Sequence, residues 1–292
     1  MKMILAILIL LTSYLAFSGV EKESSSVLEI ERKVMEKGQK YGKENVLVVF
    51  DIDNTLMAMP QDFGADQWWG WQSENCMVKK APDYCVANDF DNLLDIQGQI
   101  FSMSSMIPAQ KETPRVIRHL QKRGYKVILL TSRGPDFRNA TERALKMNDF
   151  SFVDSAIGPK YGYAGLFKPY SLDTPSKSGL TKTDLEVSGR KSPRLASYMN
   201  GVFMTSGMNK GIMLKTLLHK TGSNFKAIIF ADDHIKHTKR MQQILGNSKD
   251  IDLVTYRYGA IDEQVAKFKK SDKSEVNNAW KEFNQARTMS FK

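Results

Sequence analysis

Thiol and imidazole groups are scarce in this chain of 292 residues, which has only two cysteines, Cys76 and Cys85, and four histidines. Neither a paired cysteine motif nor suitably spaced histidines surround those cysteines, which argues against a zinc site. No apolar run beyond the first residues approaches the ~20 needed to span a bilayer. Lysines and arginines stand in ones and twos, as in Lys79-Lys80, Lys122-Arg123, Lys239-Arg240 and Lys269-Lys270. They alternate with acids and polar residues as on solvated helix faces, so no nucleic acid is expected as a partner. Internal repeats and long low-complexity tracts are missing as well.

The N-terminus is the exception to the lack of long apolar runs. Met1-Lys2 is followed by an apolar stretch over residues 3–17 and a small-residue exit at Ala16-Phe17-Ser18. This is the pattern of a cleavable export signal over residues 1–18, too short for a membrane anchor. The mature protein is expected to be soluble, without a membrane span, and secreted or periplasmic. An even cysteine count in an oxidising compartment predicts a Cys76–Cys85 disulfide, the alternative being two free buried thiols. The formal charge of +10 loses the one charge of Lys2 on cleavage and becomes +9, which favours small anionic substrates.

A serine-capped amphipathic pattern with Val27, Ile30, Val34 and Met35 inward predicts a helix within an N-terminal segment, residues 19–44. A core follows over 45–270, and a helical tail over 271–292. Val46-Leu-Val-Val-Phe-Asp51-Ile-Asp53-Asn-Thr55 begins as a continuous apolar run, the signature of a strand buried on both faces of a parallel sheet. Some eighty residues separate it from the next such strand, 125–131, far more than a βα connection needs. The crossover helix is expected over 108–122, leaving an insertion at about 57–106 that contains Trp68, Trp69, Trp71 and both cysteines. Those tryptophans suit a stacking platform or a packed core equally well. A second, loop-rich insertion is expected over 159–200, between short strands at 152–157 and 201–205. A strand at 227–231, a helix at 234–245 and a strand at 251–256 complete the core.

The strand ends carry the chemistry. Ligands bind outside the carboxyl ends of strands in open α/β sheets, where Asp51 and Asp53 fall. Crowded carboxylates need a cation or a shared proton, which points to an oxygen-coordinated divalent metal, most simply Mg²⁺. The second strand ends in Thr131-Ser-Arg133, the later one in Asp232-Asp233, and Lys210 in Asn-Lys-Gly opens a helical pattern between them. These four motifs, in this order over residues 45–258, resemble those of the haloacid dehalogenase-like superfamily, phosphatase branch.

The resemblance implies an α/β Rossmann-like, doubly wound parallel sheet with inserted cap elements and an Mg²⁺-dependent phosphatase. It makes Asp51 the nucleophile that forms an aspartyl phosphate. Asp53 becomes the general acid and base, its backbone carbonyl also facing the metal. Thr131 and Lys210 hold the phosphoryl oxygens. Asp51, Asp53 and Asp232 are the expected metal ligands, with Asp233 a further ligand or a partner of one. Phosphoryl transfer to another acceptor, or a secreted binding protein that keeps the fold with little turnover, are the alternatives. Singly, each residue also has a plain reading: Thr131, Ser132, Asp232 and Asp233 as helix caps, Lys210 as a surface lysine. His234 and His237, three apart on one helical face, are expected at the surface or beside the metal's ligands rather than on zinc.

Overall fold

The computed structural model describes residues 19–81 and 85–290. The expected export signal over 1–18 lies outside them. Strand β1 (Val20–Ser24) and helix α1 (Val27–Tyr41) lead into β2 (Val46–Phe50). A two-stranded ribbon of β3 (Met57–Ala58) and β4 (Ile107–Pro108) then brackets an insertion. This contains α2 (Asp66–Gln72), a π-helical turn (Ser73–Lys79) and α3 (Phe90–Met103). Next come α4 (Thr113–Lys122), β5 (Lys126–Thr131), α5 (Arg138–Met147), a mostly irregular stretch with α6 (Lys182–Val187), and the hairpin of β6 (Ser197–Met199) with β7 (Val202–Met204). The chain closes with α7 (Lys210–Thr221), β8 (Ala227–Asp232), α8 (Ile235–Leu245), β9 (Asp252–Tyr258), α9 (Asp262–Lys270) and α10 (Ser274–Ser290).

Seven strands form one sheet in the order β1-β9-β8-β2-β5-β7-β6, parallel except for β6 against β7. It is an α/β architecture, a mostly parallel sheet flanked by helices and consistent with a Rossmann-like fold. All five residues of β2 are buried, and the two-residue period of a strand divides them between two cores. Val46, Val48 and Phe50 join Ile30 and Val34 of α1 and Val116, Ile117 and Leu120 of α4. Leu47 and Val49 join Ile212, Leu214 and Leu217 of α7 and Met241 of α8. At ~1.5–3 kcal/mol for each buried aliphatic side chain, helices on both faces hold the central strands in place.

Several local expectations change. Val20–Ser24, read as part of a helical segment, is an edge strand that pairs in parallel with β9. Residues 152–157 form turns rather than a strand. The hairpin partner β7 takes the place beside β5, with Leu129 against Val202, while Ser155 meets only Val127 of β5, its carbonyl accepting from the Val127 N–H at 3.1 Å and its hydroxyl donating to the Val127 carbonyl at 2.8 Å. Helix α4 starts at Thr113, later than 108, because Ile107–Pro108 is drawn into the ribbon. The expected disulfide is absent: Cys76 and Cys85 are free thiols. Cys76 Sγ donates to Gln72 Oε1 at 3.1 Å and Cys85 Sγ to the Ala81 carbonyl at 3.2 Å. Burial, with Cys76 nearby, pushes the Cys85 thiol up to about 12. Among the described residues no helix is long and apolar enough to cross a membrane.

Candidate active site

Strand β2 sits where the strand order turns, with β5 on one side and β8 on the other, and all three end at the same edge of the sheet. Such a switch point leaves a crevice at the carboxyl ends. The Asp51 N–H still donates to the Ala231 carbonyl at 2.9 Å, so Asp51 is held in the sheet. The chain then turns sharply. The N–H groups of Leu56 and Met57 both reach the Ile52 carbonyl at 3.0 Å, and Asn54 takes a left-handed φ of 55° that asparagine tolerates better than most residues. This turn sends the side chains of Asp51 and Asp53 to different partners.

Asp51 meets a buried lysine. Lys210 is fully buried at the first position of α7, where a cation opposes the helix dipole. Its ammonium is compensated by two carboxylates, 2.6 Å from Asp51 Oδ1 and 2.6 Å from Asp232 Oδ2. Burial works against the lysine's charge, but Asp232 and Asp51 hold its pKa above the usual lysine range. The surrounding motif explains its own composition. Asn209 caps α7 by accepting from the Gly211 and Ile212 N–H groups at 3.0 and 3.3 Å. A side chain at Gly211 would place its Cβ 2.6 Å from the Arg240 carbonyl, so glycine lets α7 approach α8.

Asp53 meets an arginine instead. The Arg133 guanidinium donates from Nε to Asp53 Oδ2 at 2.9 Å and from Nη2 to Oδ1 at 2.7 Å, a two-point pair. The same guanidinium donates to Thr141 Oγ1 at 2.9 Å and stacks 4.1 Å over the Phe101 ring of α3. Thr131 is fully buried, and its hydroxyl oxygen accepts the Arg133 N–H at 3.1 Å. Ser132, not Thr131, lines the cavities at the site, and among the described residues its hydroxyl has no hydrogen-bond partner. The loop is braced by its neighbour: Ser206 N–H donates to the Arg133 carbonyl at 3.1 Å and Gly207 N–H to that of Ser132 at 2.8 Å. Ser206 takes a left-handed φ of 51° there, an uncommon conformation kept by this cross-bracing.

The acid pair after β8 divides its work. Asp232 uses Oδ2 for Lys210 and Oδ1 for the His234 N–H at 2.9 Å. The Asp233 N–H donates to Thr55 Oγ1 at 3.0 Å, while its buried Oδ1 has no hydrogen bond among the described residues. Carboxylate oxygens of Asp51, Asp232 and Asp233 lie within 4.8 Å of one another. With all three ionised, three carboxylates against one ammonium leave an excess of two negative charges, which resists ionisation until a cation offsets it. Burial pushes Asp51 up to about 7; Lys210 opposes the shift, and Asp232 and Asp53 add to it. Burial, followed by Asp66, pushes Asp233 well above the ordinary carboxylate value. An unsatisfied buried oxygen in a cluster of surplus acids fits a hard divalent cation, so the donor set suits the metal expected from the sequence.

Beside this cluster, His234 Nε2 and Asp66 Oδ2 are 2.9 Å apart. The Asp66 bond raises His234 to about 9. His237 is not at the surface: it is buried, and burial, Lys210 and Lys236 hold it neutral, far below the usual histidine range. Two cavities of about 800 and 790 Å³ meet here, sharing Asp53, Asp66, Trp69, Ser132 and His237 in their walls.

The structure therefore brings Asp51, Lys210, Asp232 and Asp233 into one cluster and sets Asp53 beside it on Arg133. Sequence reasoning gave Arg133 and Asp66 no role and Ser132 only that of a helix cap. Arg133 was within the quoted Thr-Ser-Arg run, but Asp66 lies 168 residues from His234 and offered no local signal. Residues 23–291 match the model of a family described as "Protein of unknown function (DUF2608)", and the chain belongs to that family. No curated protein matches it.

Proposed function

We propose that this protein is a phosphatase of the haloacid dehalogenase-like type, hydrolysing a phosphate monoester with Mg²⁺ through an aspartyl phosphate on Asp51. The observation that carries the reading is the buried Asp51–Lys210–Asp232–Asp233 cluster, with its uncompensated negative charge, at the switch point of a parallel sheet. Asp51, Asp233 and the Asp53 backbone carbonyl would hold Mg²⁺. Asp232 serves chiefly to fix Lys210, since both its oxygens are engaged. When bound, the metal neutralises charge on the phosphoryl oxygens and orients the phosphoryl group.

The chain's own residues do the rest. An Asp51 oxygen attacks phosphorus while the bond to the leaving oxygen breaks, and Asp53 gives that oxygen its proton. Asp53 then takes a proton from water, which attacks the same phosphorus and frees Asp51 and phosphate. Lys210 and Ser132 stabilise the oxygens, and Thr131, expected from the sequence to share that task, holds the Arg133 backbone from below. Because both Asp53 oxygens accept from Arg133, one must be released before Asp53 carries a proton. The segments at about 57–106 and 159–200 act as caps over the site, and export by the N-terminal signal puts this chemistry outside the cytoplasm.

The test is release of phosphate from a panel of esters with and without Mg²⁺, in wild type and Asp51→Asn. Magnesium-dependent release that disappears in the variant, at unchanged fold, is the expected result. Near-native activity of Asp51→Asn would end the assignment, and transfer to an added alcohol in place of hydrolysis would move the reading to a phosphotransferase.

A further inference from the structure

The larger cavity, about 800 Å³, runs from Asp53, Ser132 and Arg133 to the two insertions and has room for much more than a phosphoryl group. One part of its wall is aromatic: Trp69 packs edge-on against Phe90 with ring centres 5.9 Å apart, and Phe101 against Phe137 at 5.4 Å. Another part is cationic. Lys236 and Arg240 stand four residues apart on one face of α8, and Lys168 and Arg194 come from the 159–200 segment. Among the described residues none of these four forms an ion pair with a carboxylate, and Lys236 acts on Asp66 only through space. The cavity's acids offset them only in part. Asp53 is held by Arg133 and Asp66 by His234. Asp95 and Asp136 also line the cavity, and two acids against four cations leave an excess of two positive charges.

Four unpaired cations in one cavity raise the local concentration of anions and leave charges for a ligand to satisfy. We infer that the substrate's leaving group combines a flat apolar body, lying against Trp69 and Phe101, with a second anionic group that Lys168, Arg194, Lys236 and Arg240 receive. The phosphoryl end of this substrate rests on the phosphatase reading; the flat body and second anion come from the cavity itself.

Binding of non-hydrolysable probes separates the two. Titration calorimetry of the purified chain in Mg²⁺ compares naphthylmethylphosphonate with its derivative bearing a carboxylate on the far ring. The charged probe should bind about tenfold more tightly, the advantage should shrink as salt rises, and Lys168→Ala/Arg194→Ala should bring the two dissociation constants within twofold of each other. Equal affinities in wild type, an advantage that survives in the variant, or no binding of either probe overturns the inference. Hydrolysis of p-nitrophenyl phosphate alongside equal probe affinities would remove the inference alone. The expected affinity ratio in a protein that hydrolyses no ester would remove the phosphatase reading alone.

Discussion

Lys37 and Lys210 are both buried, at opposite ends of the same parallel sheet. Lys37 of α1 reaches Asp252, the first residue of β9, at 2.7 Å, and Tyr41 donates to the same carboxylate oxygen at 2.8 Å. One acid meets a buried ammonium, a hydroxyl and, at 3.6 Å, the exposed Lys40 ammonium, so no negative charge is left over. Lys210 reaches Asp232, the last residue of β8, and Asp51 beside it, with Asp233 left over. Buried pairs that balance fasten elements together, whereas a buried cluster that does not balance stores a demand for a ligand. Position agrees with this difference, because ligand crevices open at the carboxyl ends of strands and not at their starts.

The largest effect that distinguishes the two ends is removal of each lysine. Lys210→Met strands buried carboxylates without a cation and should cost about 3–5 kcal/mol in Mg²⁺-free buffer. Lys37→Met should cost less, roughly 1–3 kcal/mol, since Tyr41 still donates to Asp252 and Lys40 lies 3.6 Å from it. Urea unfolding of the two variants measures both. A smaller loss for Lys210→Met than for Lys37→Met would break the distinction.

Magnesium should sharpen it next. A cation that binds the folded site stabilises by about 2.7 kcal/mol at a hundredfold excess over its dissociation constant. Asp233→Asn should abolish that gain, while Asp252→Asn, at the balanced end, should leave the gain in place even as it lowers the starting stability. Thermal unfolding with Mg²⁺ and with a chelator reads this directly. A gain that persists in Asp233→Asn would return the metal to Asp232.

How far the sequence disclosed these two ends follows from the range of the interactions. Apolar runs ending in Asp51, Thr131 and Asp232 marked the central strands and their functional edge because burial on both faces writes itself into consecutive residues. Asn-Lys-Gly was legible for a similar reason, since cap, charge and close helix approach fall on three neighbours. The Lys37–Asp252 pair joins residues 215 apart, and on α1 that lysine reads as one more polar position of an amphipathic helix. Arg133 on Asp53 and Asp66 on His234 also depend on distant segments meeting. Val20–Ser24 carries four charged or polar residues and becomes a strand only because the β9 edge is there to pair with it. The Trp68-Trp69-Gly70-Trp71 run shows the limit within one element: Trp68 is wholly buried in the core, whereas Trp69 borders both cavities, and composition gave no means of dividing them.

The smallest effect is in the pH dependence of stability, where the two ends should have opposite slopes. Burial tends to raise Asp252, but the bonds from Lys37 and Tyr41 hold it below the ordinary carboxylate value. Its stabilisation is complete above the unfolded pKa of ~3.9 and disappears as pH falls through the folded value. Asp51 without metal behaves in the other sense. With its folded value pushed up to about 7, the native state binds the proton more tightly than the unfolded chain. Its contribution is therefore full below ~3.9 and is lost as pH rises toward 7. In chelator, stability measured from pH 3 to 8 should rise on leaving the acid range and then decline toward neutrality. Asp51→Asn should remove the decline, the paired change Lys37→Met/Asp252→Leu should weaken the acid rise, and Mg²⁺ should reverse the decline by favouring the ionised carboxylate. A decline that remains in Asp51→Asn would mean that the charge surplus resides elsewhere in the cluster, with Asp233 the next carboxylate to replace.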